Sequence, residues 1–313
     1  MAKLTRAEAA RIFDDLRALV AIEGTSGDEG RVVAAVADRV ASLPGIQSQR
    51  LQDNLIVWQG QPRVALFAHL DTVGFTLGYD RELVRIGGPH VAGGEALRCT
   101  AGEVTYRGRL AKRGDTWILD GAPDARSGSR WVYDARLELD GVEVHGPYLD
   151  NRAGVWSALE VLRACDHVAV AFTANEEHSG RGAATCARWL YDHLQVHQAL
   201  ISDITWHTRY IRRGRGPAVS LRDRNVPRQA YLERVLAAAE ASGIPFQREI
   251  EADGSSDGGA IERSGVPMDW LFVGAPEEAS HTPAEVLDLN DLRDMAALTA
   301  YLVRALGTEE VRR

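Results

Sequence analysis

The sequence predicts an α/β protein: a mixed central sheet with helices on both faces, plus a small antiparallel β domain inserted into it. Three observations carry this reading. Segments with helical periodicity take turns with short apolar runs suited to buried strands. One such run, VALFAH (64–69), is apolar enough to be a central strand covered on both faces. From about Tyr79 to His145 the texture changes to short alternating pieces, such as EVTYRGRL, TWILDG and RLELDGVEVHG, separated by Gly, Asp and Pro.

Taken in order, Thr5 and Glu8 make a capping box ahead of apolar positions Ile12, Leu16, Leu19 and Val20, which predicts a helix. The stretch GTSGDEG (24–30) breaks it, and Arg31 to Leu43 reads as a second helix. NLIVWQ and VALFAH follow as strands. After the β segment, helices are expected over 151–164, 183–194, 227–242 and 290–306. Strands are expected over 167–174, 199–204, 218–221 and 268–273. The resulting division is a catalytic domain of residues 1–78 and 146–313, with an inserted β domain of residues 79–145.

A chain of 313 residues, 45% of them hydrophobic, can bury one large core and a smaller satellite. Its net charge of −8 argues against nucleic acid or an anionic membrane surface as the main partner. No uninterrupted apolar run reaches the roughly 20 residues of a membrane span. The opening MAKLTRAEAARIFDDL is charged and amphipathic rather than a secretion signal, so a cytoplasmic protein is expected. Cys99, Cys165 and Cys186 are scattered, which supports neither a disulfide framework nor a thiolate zinc site.

The charged residues that follow the apolar strands form a pattern. VALFA runs into His69 and Asp71, VAVAFTAN into Glu176 and Glu177, QALIS into Asp203, and DWLFVG through APEEAS to His281. In open α/β sheets, ligand sites form beyond the carboxyl ends of strands, so these groups converge on one edge. Asp150, from PYLDNRAG at a helix start, joins them. Alone, an Asp there is ordinarily a cap and a His after a strand an ordinary buried histidine. Together, two His, two Asp and Glu177 form an oxygen and nitrogen set suited to Zn²⁺, Co²⁺ or Mn²⁺. Five ligands exceed one tetrahedral zinc with an open position, but suffice for two metals if one carboxylate bridges. Asp71 stands where a carboxylate could orient the His69 imidazole.

Five segments, HLD (69–71), LDNRAG (149–154), NEEHSGRGA (175–183), SD (202–203) and SHTPAE (280–285), resemble in order the motifs of the co-catalytic dizinc aminopeptidases. IPFQ (244–247) and SSDGGAIERSGVP (255–267) are similar to later motifs of the glutamyl, or tetrahedral, aminopeptidase family. The resemblance implies a dizinc exopeptidase-like fold and two divalent metal ions per subunit, most naturally zinc. It places His69 and Asp203 at one metal and Glu177 and His281 at the other. Asp150 would bridge them, with a cis peptide to Asn151, and Glu176 would be the general base on the two-metal-activated water. It further implies short peptides as substrates, and a homo-oligomer assembled through the inserted β domain.

Two other readings compete. An N-acyl amino acid deacylase or carboxypeptidase could use the same dimetal site, but in that relative the accessory domain follows the Asp203-type ligand. Here the extra β segment lies between His69 and Asp150, which favours the aminopeptidase. A non-catalytic metal-binding or assembly protein would be favoured by a lost ligand or base, and none of the six positions is missing.

Overall fold

The computed structural model describes residues 2–134 and 136–308. Residues 1, 135 and 309–313, which fall within the expected domain ranges, lie outside the described residues. The chain forms two sheets. In the larger, the strands lie in the order Gln47–Leu51, Asn54–Gln59, Val168–Thr173, Ala65–His69, Gln198–Trp206, Asp269–Glu278, Glu285–Asp288, Glu143–Gly146 and Glu138–Asp140. Ala218–Ser220 and Gln247–Glu249 branch from it beside Asp269–Glu278.

Four adjacent strands of this sheet are parallel: Val168–Thr173, Ala65–His69, Gln198–Trp206 and Asp269–Glu278. Their carboxyl ends therefore share one edge, as the sequence pattern requires. Alternate residues on these strands enter two cores, because successive side chains point to opposite faces. Leu66, Ala68, Val170 and Phe172 join helices Arg6–Val20, Gly30–Ala41, Leu149–Ala164 and Leu289–Thr308. Ala65, Phe67, Ala169 and Ala171 join Arg181–Leu194 and Asp257–Arg263 on the other face. The capping box of the first helix is present as expected.

The second sheet has the order Leu83–Ile86, Gly74–Leu77, Arg130–Tyr133, Ala96–Ala101, Val104–Arg113 and Thr116–Gly121. Strand pairing thus shifts the expected boundaries. Gly74–Leu77 pairs with this second sheet, while Glu138–Asp140 and Glu143–Gly146 pair back into the larger one. Composition could not show this, since alternation marks a strand but not its partner. Gln47–Leu51 escaped the sequence reading because it is a polar edge strand, exposed along nearly its whole length. All three cysteines are buried and free. Among the described residues, no helix is long and apolar enough to cross a membrane.

The helix Leu149–Ala164 packs closely on the strand Gln198–Trp206, and Gly154 lies at that contact. A Cβ there would stand 2.2 Å from Asn151 Oδ1 and 2.2 Å from the Ser202 carbonyl oxygen. Gly154→Ala is therefore expected to lower the unfolding free energy by about 2 kcal/mol through overpacking. Urea denaturation measures this, and an unchanged midpoint would mean that the helix lifts freely.

Candidate metal centre and active site

The edge shared by the parallel strands brings together every site residue expected from the sequence. His69 is the last residue of its strand and is buried. Its Nε2 lies 3.1 Å from Asp150 Oδ1 and 3.6 Å from Asp203 Oδ2. His281 Nε2 lies 3.3 Å from Asp150 Oδ2 and 3.1 Å from Glu177 Oε2. Asp150 thus turns one carboxylate oxygen to each imidazole. Ligand atoms of His69, Asp150 and Glu177 all fall within 4.8 Å of one another.

Both imidazoles are oriented alike. His69 Nδ1 lies 3.2 Å from the Asp71 carbonyl oxygen, and His281 Nδ1 lies 3.2 Å from the Gly88 carbonyl oxygen. An Nδ1–H donated to each carbonyl leaves an Nε2 lone pair facing carboxylates. That arrangement is repulsive unless a cation stands between them, and it is the orientation that metal-ligating histidines adopt.

Asp71 does more than the sequence suggested. Its carboxylate is 3.6 Å from His69 Nδ1, farther than its own carbonyl oxygen. It accepts Ser26 Oγ–H at 2.6 Å and the backbone N–H groups of Glu176 and Glu177 at 2.9 and 3.1 Å. It therefore fixes the paired glutamates as well as bordering the imidazole. Glu285 makes a matching clamp, accepting the N–H groups of Leu149 (2.6 Å), Asp150 (3.3 Å) and His281 (3.0 Å). His281 sits at φ 65, a conformation that costs a non-glycine residue energy unless its surroundings hold it. The Asp150–Asn151 peptide is cis, as expected.

The family model for M42 glutamyl aminopeptidase matches residues 125–298, more than half of the chain. The chain belongs to this family. It is an aminopeptidase, hence a hydrolase of peptide bonds. A curated relative from Acetivibrio thermocellus, named "Putative aminopeptidase", is 26% identical over 329 residues, covering 92% of this chain and 97% of its own. Among solved structures, a TET aminopeptidase from a marine sediment Thaumarchaeota archaeon superposes with a TM-score of 0.87 at 19% identity, covering 97% of this chain and 98% of that one. The TET1 peptidase of Pyrococcus horikoshii, described as able to assemble into a tetrahedron or a large octahedral shell, gives 0.81 at 21% identity, covering 93% and 98%. At these identities the two structures speak for the fold.

Peptidases of the M42 family are metal-dependent, and the donors here fit divalent cations. Glu177 Oε1 is buried with no hydrogen-bond partner. The electrostatics of the M42 site point the same way. Burial pushes the Glu176 carboxyl well above its ordinary range, and burial with the neighbouring Asp150 charge pushes Glu177 up to about 7. Burial also opposes a charge on His281, but its hydrogen bonds to Asp150 and Glu177 outweigh this and push it up to about 12. Without a metal, then, protons must balance carboxylates that are too close together. Divalent cations would replace those protons.

Two contributors were not recognised in the sequence. Ser26 and Glu29 come from GTSGDEG, which reads only as a helix breaker. Glu29 Oε1 accepts the N–H groups of Gly27 (2.9 Å) and Asn175 (3.0 Å), tying this loop to the residue before the paired glutamates. Arg152, two residues beyond Asp150, is buried and donates to the Leu70 carbonyl oxygen and, at 3.2 Å, to that of Ile22.

Burial raises the Glu29 carboxyl to about 7 from an ordinary value of 4.5, the loop N–H groups offsetting only part of this. A folded-state value above the unfolded one means that stability is fully present below the unfolded value and falls as pH rises through about 7. Glu29→Gln should therefore lose less stability than the parent between about pH 5 and about pH 8. Denaturation across that range tests this, and equal pH slopes would show that Glu29 titrates normally.

Proposed function

We propose that this chain removes N-terminal residues from short peptides at a two-metal centre. His69 and Asp203 would hold one divalent ion, Glu177 and His281 the other, and Asp150 both. Zn²⁺ suits this donor set best, with Co²⁺ and Mn²⁺ as alternatives. The observation that carries the reading is Asp150, with one oxygen 3.1 Å from His69 Nε2 and the other 3.3 Å from His281 Nε2. Bound divalent ions would supply Lewis-acid polarisation of the scissile carbonyl and favour ionisation of the attacking water.

The protein's own groups do the rest. Glu176 borders the same cavity as the ligands. Its backbone is pinned by Asp71, which leaves its side chain to take a proton from the attacking water and pass it to the leaving amine. Asp71 and Glu285 hold the ligand loops in register. Activity and metal content together test the assignment. Glu176→Gln should keep two ions per chain while turnover falls by about 10²–10⁴-fold. Asp150→Ala should lose both ions, and one ion remaining per chain would contradict the bridge. Unblocked peptides should be cut and N-acetylated ones should not; the reverse preference would favour a deacylase.

We further propose that the second sheet, with strands from Gly74 to Tyr133, is the inserted domain and the surface through which copies of this chain assemble. It exposes Tyr79 (87%), Val104 (52%) and Val84 (51%), large apolar groups that cost energy in water. The described assembly of the Pyrococcus horikoshii peptidase supports the same reading. Tyr79→Asp combined with Val104→Glu should lower the mass seen by analytical ultracentrifugation, and an unchanged mass would refute this role.

A further inference from the structure

The cavity that holds the metal ligands extends well beyond them. It measures about 390 Å³ and is bordered by His69, Asp150, Glu176, Glu177, Asp203 and His281. It is also bordered by a second group: Asp223, Glu249, Glu251, Asp253, Arg224, Trp206 and Phe272.

Strand register explains how the second group reaches the first. Asp203 and Thr205 lie two residues apart on one strand and therefore share a face. Thr205 Oγ–H donates to the Glu249 carboxylate. Glu249 pairs across its strand with Ser220, and Ser220 pairs with Phe272, which also lines the cavity. A buried carboxylate is thus carried to the wall immediately beside a metal ligand. Asp223, likewise buried, accepts the Asn225 N–H at 2.6 Å and Asn225 Nδ2–H at 2.9 Å. The residues of this wall include four carboxyl groups and one guanidinium, that of Arg224. Arg224 is exposed and donates to the Asp253 carbonyl oxygen at 2.6 Å rather than to a carboxylate.

We infer that this cavity selects peptides whose N-terminal residue carries a cationic side chain, lysine or arginine, with Glu249 as the specificity-determining residue and Asp223 supporting it. The inference rests on the aminopeptidase reading above. A buried carboxylate without a counter-charge is costly, and an ammonium or guanidinium group delivered by the substrate offsets that cost. The alkyl stem of such a residue can pack along Phe272 and Trp206 while its charge reaches the carboxylates. A glutamyl side chain would add another negative charge to the same wall and is disfavoured. Selection for glutamate, which the family description suggests, is therefore not expected of this member.

The test compares lysyl, norleucyl, leucyl and glutamyl aminocoumarin substrates on the zinc- or cobalt-loaded enzyme. Norleucine has the four-carbon stem of lysine without its ammonium group, so recognition of the α-amine cancels between them. The lysyl substrate should exceed the norleucyl one in kcat/KM by about 10- to 100-fold, the scale of a hydrogen bond to a charged group. Glu249→Gln should abolish most of that ratio, chiefly through KM. If that variant fails to fold, Asp223→Asn reads the same ratio. Norleucyl or glutamyl substrates cleaved as well as lysyl ones, or a ratio unchanged in the variant, would overturn the inference. If no unblocked substrate is cleaved, the activity reading itself fails. Calorimetry of L-lysinamide against L-norleucinamide on the Glu176→Gln protein then decides for the cavity, and equal affinities would overturn the inference there too.

Discussion

Negative charge concentrated at one sheet edge is the constraint on which the rest of this structure depends. Asp71, Asp150, Asp203, Asp257, Glu277 and Glu285 are all buried there or close by, with Glu176 and Glu177 beside them. Two imidazoles and the buried Arg152 are too few to balance them. The consequence reaches the neighbouring carboxyl groups: burial pushes Asp257 up to about 7, and burial together with the nearby Asp150 charge pushes Glu285 up to about 8. Asp150 and Asp71 go the other way. Burial would raise both, but hydrogen bonds from His281 and His69 hold Asp150 well below the ordinary carboxylate range, and His69 with Ser26 lowers Asp71. The group that faces both imidazoles is the one most firmly kept ionised, as a shared metal ligand needs to be.

Such crowding is stable only if the backbone resists relaxing away from it. Asp71 and Glu285 supply that resistance. Each accepts N–H groups from ligand-bearing segments distant in sequence, at separations of 105 residues for Asp71 with Glu176 and 136 for Glu285 with Leu149. The N–H groups concerned are buried or part-buried, so removing either carboxylate would leave donors unsatisfied. The side chains that would balance a metal charge and those that hold the loops are thus the same chemical type in different roles. Distance to an imidazole distinguishes the first role, and bonding to backbone N–H the second.

This division marks how far the site was legible in the sequence. His69, Asp203 and the paired glutamates follow apolar runs, and chain direction carries the ends of parallel strands to one edge whatever the packing details. Glu29, Glu285 and Glu249 gave no comparable signal. Glu285 ends the segment SHTPAE, but nothing local shows that it reaches back to Leu149. Glu249 lies on a three-residue strand, Gln247–Glu249, too short for periodicity to reveal, and its importance comes from Thr205 across 44 positions. The fold class was legible because it depends on alternation and periodicity. The limits of the β segment were not, because pairing decides which sheet a strand joins.

The second sheet is also more closely bound to the catalytic edge than its composition suggested. Its segment Gly87–His90 runs against His281: the Gly88 carbonyl oxygen faces the ring, and the His90 N–H donates to the His281 carbonyl oxygen at 3.0 Å. Tyr133, at the end of its own strand, donates its hydroxyl to the His90 carbonyl oxygen at 3.0 Å. A Cβ on Gly88 would stand 3.3 Å from His281 Nδ1, so glycine lets this backbone approach closely. His281 is therefore fixed from two sides, by Glu285 of the larger sheet through its N–H and by Gly88 through its ring. The orientation of its Nε2 toward Asp150 and Glu177 depends on how the second sheet is seated. The second sheet thereby helps set the geometry of the centre.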